Sequence, residues 1–262
     1  MTTRLTVTRT EDLTPGLRRV WFHSDDLSAF EGSTDTDRYV KLIFARGGQP
    51  LPDPVDVRAM RRDGVPQDQL PDVRTYTALF PDVAAGTLAI DFVVHGDEGV
   101  AGPWAAQAAP GQTLQANGPG GGYRPDSTAD WHLLIGDESA VPAIAAALAD
   151  LGPEPTVRLL LAVPDAAHEV SLSLGADQQV QYVADPSALV AALQELPWLP
   201  GRVQVFAHGE AQAIMHGVRP YVLKQRGVPR SDASISGYWR QGRSEDSFRV
   251  WKQELAAAET AG

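Results

Sequence analysis

The run Gly118-Pro119-Gly120-Gly121-Gly122-Tyr123 divides the chain into two stretches that cannot share one architecture. Four glycines and a proline interrupt any strand or helix, and the flanking Pro119 and Tyr123 favour a fixed path against something flat or phosphorylated. Before the break, strand-like runs recur at Leu5–Thr8, Arg19–Phe22, Tyr39–Phe44, Tyr76–Phe80, Leu88–Val94 and Thr113–Ala116. They are β-branched or aromatic and separated by Gly, Pro, Asp or Ser clusters, with no long helical pattern between them. Residues 1–122 are therefore predicted to form a six-stranded antiparallel β-barrel, with 46–73 as a long loop of the kind that forms a lid or stays partly mobile.

After the break the hydrophobic period changes. Buried strands are expected at Trp131–Ile135, Val157–Val163, Val180–Val183 and Val203–Ala207. Helices are expected at Ala140–Asp150 capped by Ser139, at Pro186–Leu196 capped by Asp185, and from about Glu210 to Gln225. A last helix beginning at Ser244-Glu245-Asp246 would pack through Phe248, Trp251 and Leu255. Alternating strands and helices predict a parallel-sheet α/β domain over 123–262, whose ligands sit beyond the carboxyl ends of the strands. The turns Gly136–Ser139 and His208-Gly209-Glu210 lie at those ends, and no GxGxxG dinucleotide fingerprint follows the first strand.

Composition narrows the function classes. With no cysteine among 262 residues, disulfides, cysteine-ligated clusters and thiol nucleophiles are excluded, so redox chemistry requires a bound cofactor. A net charge of −11 argues against nucleic-acid or anionic-membrane partners. The six histidines have no close ligand spacing, so no protein-held metal site is expected. No apolar run has the length of a membrane span, and the N-terminus lacks a signal-peptide core; a cytoplasmic protein is expected.

The residues with most chemical promise are Arg74-Thr75-Tyr76-Thr77. Strand alternation puts Arg74 and Tyr76 on one face and Thr77 on the other. Arginine can hold a phosphate bidentately, tyrosine offers a flat face to a planar ring, and threonine supplies a hydroxyl and an N–H. An ordinary edge strand would look the same. Gly99–Trp104 runs glycines into a short helical segment whose free N–H groups can meet a phosphate. Lys41 interrupts an apolar strand and reads either as an outward lysine or as a cation in a ligand cleft. His95 closes a strand with equal ambiguity. In the tail, Tyr238 and Trp239 beside Arg240 read equally as packing or as a ligand-facing group.

Taken in order, these motifs resemble the ferredoxin–NADP reductase superfamily and, more narrowly, the siderophore-interacting protein family. Tyr39-Val40-Lys41-Leu42, Arg74–Thr77, Asp91–Gly96, Gly118–Gly121, Trp131–Ile144 and Ser236–Glu245 carry the resemblance across nearly the whole chain. It implies an FAD-dependent ferric-siderophore reductase fed by NADH, NADPH or a ferredoxin, with a mild lean to a monomer. Arg74 would bind FAD phosphates, Tyr76 would stack on the isoalloxazine and Thr77 would bond near its reactive nitrogen. Asp91, Val93, His95, Ala101, Gly102 and Trp104 would hold the rest of the FAD, with Trp239 added to the cofactor-binding set. Asp137, Glu138 and Ser139 would surround the adenosine or the pyridine nucleotide. No acid–base catalytic residue and no metal ligand is implied, since iron is reached by electron transfer. Lys41 and Arg240 would draw in an anionic ferric siderophore; where a third cation is sought after Pro119, this chain has Gly120. A general NAD(P)H diaphorase and a non-catalytic siderophore-binding module remain alternatives.

Overall fold

The structure, a computed structural model, describes residues 2–47, 50–97 and 99–242. The helix expected from Ser244 lies outside the described residues. The chain falls into two units, Met1–Arg124 with Ala145–Asp150, and Pro125–Ile144 with Leu151–Gly262.

In the first unit, β1 (Thr2–Thr14), β2 (Leu17–His23), β3 (Tyr39–Phe44), β4 (Asp72–Thr77), β5 (Leu79–Asp82), β6 (Thr87–Val93) and β7 (Thr113–Gly120) form one antiparallel sheet. Its order is β4-β3-β7-β1-β2-β6-β5. The two outermost strands are consecutive in the chain and separated only by Ala78, so the sheet must curl until its edges approach, as a barrel does. Inward side chains such as Val7, Phe22, Leu42, Ile90, Phe92 and Leu114 fill one core. The expected six strands are seven because the run Tyr76–Phe80 divides at Ala78. There the Ala78 N–H turns aside to the Arg38 carbonyl at 2.8 Å, and Phe80 takes a positive φ of 50°.

The 46–73 stretch is less of a free loop than the sequence suggests. It carries α1 (Val57–Arg62), whose first turn is capped by Asp56 accepting from the Ala59 N–H at 2.9 Å. Val55 and Val57 pack against Ile43 on the outer face of β3. Gln115 of β7 fastens the approach, accepting from the Val55 N–H at 2.8 Å and donating to the Pro52 carbonyl at 2.8 Å. Between β6 and β7 lies α2 (Ala101–Ala106), whose first turn has no side-chain cap.

The second unit is a parallel five-stranded sheet ordered β10-β9-β8-β11-β12. Its strands are β8 (Trp131–Asp137), β9 (Val157–Ala162), β10 (Gln178–Val183), β11 (Val203–Glu210) and β12 (Ala233–Trp239). Between them run α3 (Val141–Leu151) and α4 (Leu189–Glu195). β8 is buried along its whole length, its apolar Trp131, Leu133, Leu134 and Ile135 together with the polar His132 and Asp137. β12 was not expected, yet it pairs in parallel with β11 from Val205–Ala233 onward. Asp185 caps as expected, accepting from the Ser187 N–H at 2.8 Å, but the first turn is 3₁₀ before α4 begins.

The helix expected from Glu210 to Gln225 is present from Ala211 to Gln225, but it is α-helical only at Ala211–Ala213 and at 219–220 and widens to π turns at Ile214–Val218 and Tyr221–Gln225. Pro220 has no N–H to donate to the preceding turn, which breaks regular helical bonding. Gly217 lies so close to α4 that a Cβ would stand 2.3 Å from Val190 Cγ2. No helix among the described residues is long and apolar enough to cross a membrane.

Candidate functional site

The antiparallel register of β3 and β4 sets Tyr76 opposite Val40 and Arg74 opposite Leu42, with Thr77 opposite Tyr39. Arg74 and Tyr76 therefore share the face that carries the apolar Val40 and Leu42, and Thr77 points the other way. Tyr76 is half-buried with its ring 4.6 Å from that of Phe92, centroid to centroid. Arg74 is half-buried and held from below by Asp72, its Nη2 lying 3.3 Å from Asp72 Oδ1. Asp72 is itself clamped by Arg46, with Nη2–Oδ1 at 2.6 Å and Nε–Oδ2 at 3.1 Å. The hydrogen bonds from Arg46, with Arg74 adding its charge, hold the Asp72 carboxyl below the usual carboxylate range. Sequence reasoning missed Asp72 and Arg46; an Asp two residues before Arg74 on the same strand face was the available signal.

The remaining residues of the expected flavin set divide into two groups. Val93 is half-buried and His95 exposed at the end of β6, with the buried Ala101 opening α2. Gly102 packs there so tightly that a Cβ would stand 3.2 Å from the Val93 carbonyl oxygen. Asp91 and Trp104 are engaged with neighbouring side chains of the sheet and α2. Both Asp91 oxygens accept from Arg19, Nε–Oδ1 at 2.6 Å and Nη2–Oδ2 at 2.8 Å, in a cross-strand pair fixed by the β2–β6 register. Burial pushes the Asp91 carboxyl up from the usual range, opposed by that bidentate pairing. Trp104 packs among Phe22, Phe44 and Phe92 at centroid distances of 6.3, 5.9 and 5.6 Å.

Lys41 is exposed on β3, on the face opposite Val40 and Leu42, beside Thr75 and Asn117 on the flanking strands. Of its two expected roles, alternation gives it the outward position. Gly120 across the pair leaves room for no side chain, because a Cβ would meet the Tyr39 ring at 2.5 Å.

In the second unit, Asp137 is the centre of a hydrogen-bond knot joining the ends of three strands. Its Oδ1 accepts from the Ser139 N–H at 3.0 Å and the Ser139 hydroxyl at 2.5 Å. Its Oδ2 accepts from the Glu210 N–H at 2.6 Å and Trp239 Nε1–H at 2.9 Å. Burial pushes this carboxyl above the usual range while the four donors pull it back. Ser139, expected to cap α3, spends its hydroxyl on Asp137. Trp239 is anchored at its nitrogen yet keeps 38% of its surface exposed. Glu138 is half-buried in the same turn. Glu210 caps the following turn, accepting from the Ala213 N–H at 2.8 Å, and Arg240 reaches Gln212 at 3.3 Å. Sequence reasoning found Asp137 and Trp239 separately but not their contact, which spans 102 positions. Among the described residues, no group of three or more His, Cys, Asp or Glu could hold a metal ion.

A curled antiparallel sheet followed by a parallel five-stranded sheet, with an Arg-x-Tyr-Thr strand in the first, defines a ferredoxin-reductase-like protein of the flavin-binding class. Residues 6–123 match the model of the siderophore-interacting FAD-binding domain, and residues 129–242 match that of siderophore-interacting protein. The chain belongs to the siderophore-interacting protein family. An uncharacterized protein of Mycobacterium tuberculosis is 44% identical, over 97% of this chain and 95% of its own. The NADPH-dependent ferric-chelate reductase of Escherichia coli is 31% identical over 90% of this chain and 91% of its own. Among solved structures, the siderophore-interacting protein SipS from Aeromonas hydrophila superposes with a TM-score of 0.81, at 26% identity and 98% coverage of both chains.

Proposed function

We propose that this oxidoreductase reduces ferric siderophores in the cytoplasm, passing electrons from NAD(P)H or a reduced ferredoxin through FAD to chelated Fe(III) and so freeing Fe(II). The observation that carries the reading is the pairing of Arg74 with Tyr76 on one strand face, inside a domain of the FAD-binding family. The name of the Escherichia coli relative, an NADPH-dependent ferric-chelate reductase, supports the acceptor class and one of the donors.

The residues present fit a flavin. Arg74 is a cation pre-set by Asp72, whose 3.3 Å contact is weak enough to be exchanged for a phosphate. Tyr76 has its ring fixed by Phe92 on one side, which gives a planar partner a rigid surface. Thr77, Val93, His95, Ala101 and Gly102 would complete the contacts, Gly102 by letting the chain approach closely. Asp91 and Trp104 serve by holding β6 and α2 in place. Bound FAD supplies the two-electron to one-electron conversion that a hydride donor and Fe(III) require. Lys41 and Arg240, each considered within its own unit, are the cations we assign to attracting an anionic chelate, in a chain whose net charge of −11 otherwise repels it. Iron is substrate here, held by its own chelator.

Two substitutions test the assignment. Arg74→Ala should purify with most of its flavin absorbance lost, about a tenfold or greater fall in FAD affinity for one charge-assisted phosphate contact. Flavin content equal to wild type would remove Arg74 from the site. Lys41→Glu should keep its flavin and raise KM for anionic ferric chelates several-fold; an unchanged KM returns Lys41 to an ordinary surface lysine.

A further inference from the structure

The order β10-β9-β8-β11-β12 reverses its direction of growth between β8 and β11. In open parallel sheets, the crevice beyond the strand ends at such a reversal holds phosphate-bearing ligands on the free N–H groups of the adjoining turns. Here four of those donors can be followed. The Ser139 N–H goes to the Asp137 carboxylate at 3.0 Å, and the Ala140 N–H to the Asp137 carbonyl at 2.9 Å. Pro142 has none to give. Across the crevice, the Glu210 N–H goes to Asp137 Oδ2 at 2.6 Å and the Ala213 N–H to the Glu210 carboxylate at 2.8 Å. Asp137 is only 4% exposed. Gly209, at φ +147°, yields the space Asp137 needs, since a Cβ there would stand 2.5 Å from Oδ2.

We infer that the Asp137 carboxylate is a resident anion in the phosphate slot between β8 and β11, and that it closes this slot to the pyrophosphate of a pyridine dinucleotide. An incoming pyrophosphate would have to displace a carboxylate held by four donors and then face Glu138 and Glu210 at the same strand ends. Like charges at the same strand ends disfavour it. Asp137 is thereby the residue that sets donor selectivity. A dinucleotide that reduces this protein does so without anchorage in this slot, at a rate that rises linearly with concentration, and with NADH and NADPH nearly equal. A donor that needs no phosphate slot meets no such barrier. The inference concerns the second unit alone and does not depend on the ferric-chelate reading.

The test is an amide NMR titration of the full chain with ADP-ribose, NAD⁺ and NADP⁺ up to millimolar concentration, with no iron or turnover involved. The Ser139 and Glu210 amides are expected to resist hydrogen exchange and to stay unshifted. Saturable shifts of both amides with Kd below about 100 μM would overturn the inference. Saturable binding that leaves both unmoved is a dinucleotide seated elsewhere, and supports a closed slot. Asp137→Ser frees both amides and should bind ADP-ribose at least about tenfold more tightly than wild type. A folded variant with no gain also overturns the inference. Should that variant not fold, the wild-type titration decides alone.

Discussion

Removing the Arg19 guanidinium would leave the Asp91 carboxylate, 1% exposed, without its two charge-assisted hydrogen bonds. Breaking a buried pair on one side costs about 3–5 kcal/mol, so Arg19→Ala should lower the urea midpoint sharply. The double variant Arg19→Met with Asp91→Leu should recover most of it, because the charge needing a partner is gone. A urea midpoint near wild type in Arg19→Ala would show that this pair does not stabilise the fold. Asp72 gives a pH-dependent counterpart. Its folded pKa lies below the unfolded value, so its stabilisation is present above the ordinary carboxylate range and is lost as pH falls through the depressed folded value. Asp72→Asn should therefore cost about 1 kcal/mol near neutrality and progressively less below about pH 4, read from denaturation midpoints along a pH series. At this scale, sequence told residue types but not partners. Asp91 lay in a recognisable motif, while Arg19 is 72 positions away and becomes its partner only through the β2–β6 register.

At the scale of elements, the ends of β8, β11 and β12 are tied at one carboxylate, and the tie depends on a glycine. Gly209→Ala would force a left-handed backbone on alanine and drive its Cβ into Asp137. A loss of about 2 kcal/mol or more is expected, seen as a lowered Tm together with a shifted NMR signal of the Trp239 Nε1–H that Asp137 accepts from. A Tm drop with that signal unmoved would place the strain elsewhere. Strands with a mostly apolar run, such as Leu133–Ile135 in β8, were legible because burial on both faces leaves a plain signature. β12 was not, because its Ser and Gly residues gain their extended form from pairing with β11 rather than from local preference. The break between β4 and β5 was hidden for a related reason. Tyr76–Phe80 alternates as a strand should, and only the closing curl of the sheet turns the chain at Ala78. The 46–73 stretch looked like a lid because Val55 and Val57 show their packing role only once Ile43 is beneath them.

At the scale of the whole molecule, the change of period at Gly118–Tyr123 and the absence of cysteine were enough to predict two architectures and a borrowed redox group. The motif order added the family. What no local pattern could give was how each residue of the expected site is employed. Tyr76 and Arg74 do stand on one face, Asp91 and Trp104 are used by the scaffold, and Asp137 turns inward to other parts of its own unit. The central claim is that electrons held on this flavoprotein pass to chelated ferric iron. It is tested most directly by reducing the purified protein anaerobically with dithionite, then mixing it in a stopped-flow instrument with a panel of ferric siderophores and an Fe(II) trap. Reoxidation of the flavin is expected, with two Fe(II) trapped per two-electron-reduced flavin. A reduced flavin that persists with every chelate yet is reoxidised by oxygen or quinones would contradict ferric-siderophore reduction and identify a diaphorase.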